Sequence, residues 1–263
     1  MTLPSSSTLF LHFGPGGNCL VERAMFAGNL AIEWWDQPSF VIGDKEALNK
    51  LRQAAVDKIR DMHGLTQKKI TLIANSYGAH LATAVIPQVK DLIEQVVILG
   101  SQAKISSSYE NLAQFLLIQN PKNNELKDAS LAFEKAKSWN TFQNLLGAIS
   151  SVEGFMLNYW HKKDSNAFKL WLEIASQDKL MNFDSFLAII QGHFAEGSFD
   201  QLASSETISM PASYIYGSHD PLACEEEDVP QWKHIFPQLQ IKQLECGHFV
   251  HLETSPQEWI RAI

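Results

Sequence analysis

A serine flanked by small residues lies near the middle of the chain, in the sequence Ala74-Asn75-Ser76-Tyr77-Gly78. The apolar run 70–73 before it is typical of a buried strand, and the segment 79–86 after it is typical of a helix. On a tight strand-to-helix turn, a serine is held away from the sheet with its hydroxyl exposed, and the crowded turn requires small neighbours. Ser76 is therefore the candidate nucleophile.

A serine hydroxyl is a poor nucleophile at neutral pH, so it needs a base, and the base needs an orienting acid. Asp220 follows the apolar run 212–216 and is the candidate acid, whereas His248 follows the run 239–244 and is the candidate base. The order serine, acid, histidine matches one of the known triad layouts. Each residue alone fits an ordinary turn, cap or loop equally well, but the ordered set favours catalysis.

Attack of a serine on a carbonyl creates an oxyanion, which backbone N–H groups can stabilise. Tyr77 is one candidate donor, because it follows the nucleophile at the positive end of the predicted helix. Gly14, in the loop 12–17, is the other, since a residue without Cβ lets an oxygen approach its N–H closely. That loop lacks the spacing of a phosphate-binding loop. The chemistry predicted from these residues needs neither a metal nor an organic cofactor.

Strands that alternate with helices must position these groups. Short, mostly apolar segments predict strands over 9–13, 31–35, 70–73, 96–100 and 212–216, and a further strand is predicted over 239–244. Helical spacing predicts helices between them, one of which is capped by Asp44 and ended by Gly64. The expected fold class is α/β, with a mostly parallel sheet of about six strands and helices on both faces. Loops at the carboxyl ends of such strands meet in a ligand crevice.

Residues 102–200 interrupt this alternation, because they show helical spacing, no convincing strand and most of the phenylalanines. We expect them to form a helical cap inserted into an α/β core made of 1–101 and 201–263. Most of the aromatic side chains should form the interior of the cap. A few should face Ser76, since an apolar lid over a polar site is the usual layout of a small-molecule pocket.

The composition narrows the classes of partner and the cellular location. The chain has 263 residues and a net charge of −8 without a basic block, which disfavours nucleic acid. No apolar run approaches the roughly 18 residues of a membrane span, and residues 1–7 do not resemble a signal peptide. Three cysteines, Cys19, Cys224 and Cys246, form no disulfide or zinc pattern, which favours the reducing cytoplasm.

Together these segments resemble the α/β-hydrolase superfamily from the first predicted strand to the C-terminus. The motifs that carry the resemblance are 12–17, 74–78, Gly217-Ser218-His219-Asp220 and Gly247-His248. The first loop and Trp35-Asp36-Gln37 are most similar to the proline-iminopeptidase-like branch, which has His-Gly-Gly-Pro-Gly and an Asp-Gln pair there. The resemblance implies a serine hydrolase that forms an acyl-enzyme on its nucleophile.

The chain also departs from the iminopeptidases. Phe13 stands where they have a glycine, and Tyr77 stands where they have a tryptophan. Their cap holds the free amine of the substrate with a Trp-Glu pair, for which the acids Glu153, Asp184 and Glu196 are the only candidates considered in this chain. These departures favour a substrate without a free amine.

We therefore expect hydrolysis of a small acyl substrate, either a carboxylic ester or a thioester. Two alternatives remain open, namely an aminopeptidase or amidase of the iminopeptidase type and a non-catalytic ligand-binding protein on the same fold. The side chains around the Ser76 hydroxyl distinguish an ester hydrolase from the first alternative, the aminopeptidase or amidase. An apolar set favours esters, and a carboxylate favours the aminopeptidase.

Overall fold

The computed structural model describes residues 7–260, and its centre is a single six-stranded sheet. The strands are β1 (Thr8–Leu11), β2 (Glu33–Trp35), β3 (Ile70–Asn75), β4 (Ile93–Leu99), β5 (Ala212–Gly217) and β6 (Leu239–Leu244). They lie in the order β2-β1-β3-β4-β5-β6, and every neighbouring pair is parallel. The predicted α/β class and the number of strands are confirmed.

Eleven α-helices occur in the described residues. The first three are α1 (Leu20–Phe26), α2 (Ala47–Thr66) and α3 (Tyr77–Val89). Between β4 and β5 lie α4 (Ile105–Gln119), α5 (Asn124–Lys135), α6 (Trp139–Ser150), α7 (Asn166–Ala175) and α8 (Phe183–Glu196). The last three are α9 (Glu225–Ile235), α10 (Val250–Glu253) and α11 (Pro256–Ile260). None of these helices combines the length and the apolar character that a bilayer crossing requires.

Successive side chains of each central strand point into different cores, as the pleat of a strand requires. In β1, Leu9 and Leu11 belong to one core, whereas Phe10 belongs to the other. The first core includes buried residues of α2 and α3, and the second includes those of α1, α10 and α11. Helices therefore cover both faces of the sheet, as predicted.

The bounds of α2 differ from the prediction at both ends. Asp44 forms a turn before the helix, accepting from the Glu46 N–H at 3.0 Å, and the helix begins at Ala47. At the other end it continues through Gly64, whose position is open to solvent, and a glycine there costs only about 1 kcal/mol. Gln67, with φ 54°, closes the helix by donating to the His63 carbonyl.

Candidate active site

Ser76 lies on the turn between β3 and α3 with φ 51° and ψ −121°, a backbone conformation that is rare for a residue with a side chain. Its N–H donates to the Leu99 carbonyl at 2.9 Å, and its carbonyl accepts from Ala79 at 3.0 Å. A Cβ on Gly78 would lie 2.2 Å from the Leu11 carbonyl oxygen, so only glycine fits between α3 and the end of β1. The tight strand-to-helix turn predicted around Ser76, known as a nucleophile elbow, is therefore a sharp and strained turn in the structure.

Asp220 and His248 lie on the loops after β5 and β6, and the structure brings them together. The Nδ1 of His248 donates to Oδ2 of Asp220 at 2.9 Å, and both side chains are buried. The other carboxylate oxygen accepts from the Leu222 N–H at 2.9 Å. Because Nδ1 is engaged in this way, Nε2 is the ring nitrogen of His248 left for proton transfer.

The loop after β1 is held by the side chain of Gln37, which is buried. Its amide nitrogen donates to the carbonyls of His12 at 3.3 Å and Gly14 at 3.0 Å, and its amide oxygen accepts from Gly16 at 2.9 Å. Gly14 has φ 57°, in the left-handed region that favours glycine. The loop is thereby fixed by side-chain bonds from the segment after the neighbouring strand.

A buried carboxylate lies beneath the same loop. Glu22 accepts from His251 Nε2 at 2.9 Å, and its oxygen is 3.5 Å from His12 Nε2. Burial raises the pKa of Glu22, but the charge of His12 and the hydrogen bonds from both imidazoles outweigh it and hold that pKa well below its usual range. Glu22 therefore remains ionised inside the protein, held by its contacts with the two imidazoles.

Ser76, Tyr77, Gly14 and His248 line one cavity of about 160 Å³. Most of its remaining wall is apolar and comes from the helical stretch after β4: Ile105, Tyr109, Leu112, Leu146, Ile149, Phe155, Met156, Tyr159, Met181, Phe183, Phe186 and Ile190. Within residues 7–260, no aspartate, glutamate, lysine or arginine lines it. The wall around Ser76 is therefore mostly apolar, with no charged side chain among the described residues.

Comparison with known proteins agrees with this architecture. The model of the family described as alpha/beta hydrolase fold matches residues 53–255. The chain belongs to the α/β-hydrolase fold family. A search of curated proteins returned no match.

Solved structures similar to this α/β hydrolase include a proline iminopeptidase-related protein from Thermus thermophilus, with a TM-score of 0.66 and 17% identity. The alignment covers 100% of this chain and 89% of that one. The proline iminopeptidase of Mycobacterium smegmatis has a TM-score of 0.60 and 17% identity, over 97% and 87% of the two chains. A thermophilic esterase from Thermogutta terrifontis has a TM-score of 0.57 and 16% identity, over 97% and 89%. At these identities the likeness shows the fold, and relatives like the proline iminopeptidases are among the neighbours as predicted.

In this α/β hydrolase, Tyr77 is also anchored through its side chain. Its hydroxyl donates to Nε2 of His193 on α8 at 2.8 Å, and Nδ1 of that ring donates to Ser198 at 2.6 Å. Ser198 in turn donates to Glu196, which Arg52 holds with two bonds of 2.6 and 2.8 Å. Burial lowers the pKa of His193 to about 3, so the ring is neutral and accepts from the tyrosine.

The three acids considered for binding an amine all lie outside the cavity wall. Glu153 and Asp184 are exposed, and Glu196 is paired with Arg52. His80, which is also on α3, does line the cavity, and its Nε2 is 3.0 Å from the Gln102 carbonyl oxygen. Because the partner is a carbonyl, His80 Nε2 is the donor, and burial lowers its pKa to about 4.

Sequence reasoning missed several residues that support the site. His193 and Glu22 carry no motif that marks them, because their partners are distant in sequence. Asp228 is buried and accepts from the N–H groups of Cys224 at 2.9 Å and Ala103 at 3.4 Å, and burial raises its pKa to about 7. By contrast Gln37 had a signal, since it belongs to the Asp-Gln pair of the resemblance.

Proposed function

We propose that this protein is a serine hydrolase that cleaves a small carboxylic ester or thioester through an acyl-enzyme on Ser76. The observation that carries the proposal is the shared cavity, in which Ser76 and His248 line the same apolar wall and Asp220 holds His248 from behind. The family supports hydrolysis, and the residues support this mechanism.

In the proposed reaction, Ser76 Oγ attacks the carbonyl carbon while His248 Nε2 takes the hydroxyl proton. The resulting oxyanion accepts from the N–H groups of Gly14 and Tyr77. Collapse of the tetrahedral intermediate expels the alcohol or thiol, which receives the proton from His248. Water then attacks the acyl-enzyme with His248 as base, and the acid leaves with Ser76 restored.

The free state of the protein leaves these groups available. In the described chain, Ser76 forms hydrogen bonds through its backbone and none through its hydroxyl. The Gly14 carbonyl accepts from Gln37 and Gly17, whereas its N–H has no acceptor among residues 7–260. The Tyr77 N–H is in the first turn of α3, where helix donors lack intrahelical partners. Catalytic contacts of this kind commonly tighten only when substrate binds.

The wall of the cavity supports an acyl group over a free amine. An ammonium group requires a carboxylate or several acceptors when it leaves water, and no carboxylate among the described residues lines the wall. The volume of about 160 Å³ is close to that of a cavity of about 150 Å³ known to bind benzene, which favours a short or compact acyl group. The aminopeptidase alternative is therefore disfavoured.

We also propose that 102–200 is a cap domain over the core formed by 1–101 and 201–263. Five helices, α4 to α8, connect β4 to β5. The segment 102–200 supplies most of the cavity wall, through α4, α6, α8, the 3₁₀ turn Phe155–Tyr159 and Met181. Because the cap and the catalytic loops line the same cavity, the side chains of the cap would determine which acyl groups the protein accepts.

The proposal is tested by comparing turnover of p-nitrophenyl acetate and butyrate with turnover of aminoacyl-anilides. We expect the protein to hydrolyse the esters and to hydrolyse the anilides little or not at all. Ser76→Ala should abolish ester hydrolysis. Ser150→Ala is the matched control, because this serine lines the same cavity. Faster turnover of the anilides would support the amidase alternative. Equal ester turnover by Ser76→Ala and the parent protein would contradict the mechanism.

A further inference from the structure

Three exposed side chains with metal-binding atoms meet on the surface beside the loops that carry Asp220 and His248. His161 follows the 3₁₀ turn Phe155–Tyr159, His219 precedes the acid, and Glu245 directly follows β6. One ligand atom of each residue lies within 4.8 Å of the others. Within residues 7–260, none of these side chains takes part in a hydrogen bond or an ion pair, so all three remain available to a ligand.

We propose that His161, His219 and Glu245 bind a divalent transition-metal ion, with Zn²⁺ the best match. Two imidazoles and one carboxylate are ligands that zinc uses, and three protein ligands leave a fourth tetrahedral position for water. Calcium and magnesium prefer sites made wholly of oxygen, which this set does not offer. No sequence motif marks the site, because its ligands come from three segments that are distant in the chain.

The two imidazole rings must turn relative to each other to bind one ion, because a metal lies in the plane of each imidazole that binds it. The two imidazole rings are stacked, with centroids 3.7 Å apart and planes 2° apart. Ligand atoms about 2.0–2.1 Å from a tetrahedral zinc lie about 3.3 Å from one another, so the three atoms must close in by an ångström or so. All three side chains are exposed, so rotation about their χ angles is open to them.

Backbone hydrogen bonds already fix the three segments relative to one another. The His219 N–H donates to the Cys246 carbonyl at 3.0 Å, which joins the loops after β5 and β6. The His161 N–H donates to Glu253 at 2.9 Å, and the His248 N–H donates to the Tyr159 carbonyl at 2.7 Å. Because the segments are held in place, the ion would have to order only three side chains.

A second group of potential ligands, His12, Cys19 and Glu22, is a weaker candidate. It is buried, and its atoms are already bonded: His12 Nδ1 to the Phe13 carbonyl, the thiol to the Trp35 carbonyl, and the carboxylate to His251. A metal would have to displace these bonds. The exposed cluster requires no such loss, and the two groups share no residue, so variants separate them.

The test is calorimetric titration of metal-stripped protein with Zn²⁺ alone, together with melting curves in the same buffer. We expect one ion per chain and a higher melting temperature with zinc, because an ion that binds only the folded state stabilises it. His161→Ala, His219→Ala and Glu245→Ala should each weaken binding by at least about tenfold, the loss seen even when a residue merely supporting a ligand is removed. His234→Ala, an exposed histidine on α9, is the matched control and should bind zinc normally.

Failure to bind one ion per chain would overturn this proposal, as would unchanged affinity in the three variants. Equal weakening in His234→Ala would show that zinc binds surface histidines without a site. None of these readouts requires hydrolase activity, so the result is independent of the function proposed above.

Discussion

His248 Nδ1 donates to Asp220 Oδ2 at 2.9 Å, inside the protein and behind the cavity wall. This bond selects the tautomer whose Nε2 can accept a proton, and in the proposed reaction it would stabilise the imidazolium that forms. We expect Asp220→Asn to lower kcat for p-nitrophenyl acetate by about 10⁴, because an amide favours the wrong tautomer. Steady-state kinetics on protein of verified melting temperature measure this, and a loss below tenfold would remove Asp220 from the mechanism.

The bond between Tyr77 and His193 predicts a second effect on turnover. Tyr77→Phe keeps the backbone N–H but leaves the buried His193 Nε2 without its donor, so stability should fall by about 1–3 kcal/mol. If the bond also positions the N–H, kcat should fall with KM little changed, by less than the roughly 10²–10³ of a lost oxyanion donor. Tyr109→Phe on the same wall is the matched control. Normal kcat in Tyr77→Phe, with only stability reduced, would limit the bond to a structural role.

Two glycines should respond to substitution in opposite directions. Gly78→Ala would place a Cβ 2.2 Å from the Leu11 carbonyl oxygen, so we expect a loss above about 4 kcal/mol or no folded protein. Gly147→Ala, on the exposed face of α6 with open space around it, should stabilise by about 0.5–1 kcal/mol. Denaturant unfolding measures both changes. A well-folded Gly78→Ala would show that the turn has room for a Cβ that the structure does not provide.

The buried His80 predicts how stability depends on pH. Its pKa is lowered to about 4 in the folded protein, whereas an unfolded histidine has a pKa near 6.5, so only the unfolded chain binds this proton between those values. The contribution of neutral His80 to the free energy of unfolding is therefore fully present above about pH 6.5. It is lost as the pH falls below that value, at about 1.4 kcal/mol per pH unit. His80→Gln should reduce the slope of unfolding free energy between about pH 6 and pH 5 by that amount. An unchanged slope would mean that His80 is protonated in the folded protein.

The sheet was predictable because most strands combine an apolar run with a turn signal. The run 239–244 was predicted with the bounds that β6 has, and the elbow motif located the end of β3. The end of α2 was not predictable in this way, since Gly64 is an ordinary stop signal that solvent exposure allows the helix to pass. Local patterns therefore determined where elements lie better than where they end.

The site was predictable only where its residues follow strands. Asp220 and His248 were found because the carboxyl ends of parallel strands converge, so a residue after each strand is placed without knowledge of packing. His193 and Asp228 depend instead on how distant elements pack against the core, and neither occurs in a recognisable motif. The cavity wall supplied by 102–200 was unpredictable for the same reason. Helical spacing predicts the helices, but it does not predict which of their faces lie against Ser76.

The central claim is that Ser76 is a nucleophile activated by His248. Treatment of the folded protein with a fluorophosphonate, followed by intact-mass and peptide mass spectrometry, tests it without knowledge of the substrate. We predict one adduct per chain, mapped to Ser76, absent in Ser76→Ala, slowed in Asp220→Asn and retained in Ser150→Ala. Folded protein that acquires no adduct, or an adduct at a residue other than Ser76, would contradict the claim and favour a non-catalytic ligand-binding protein.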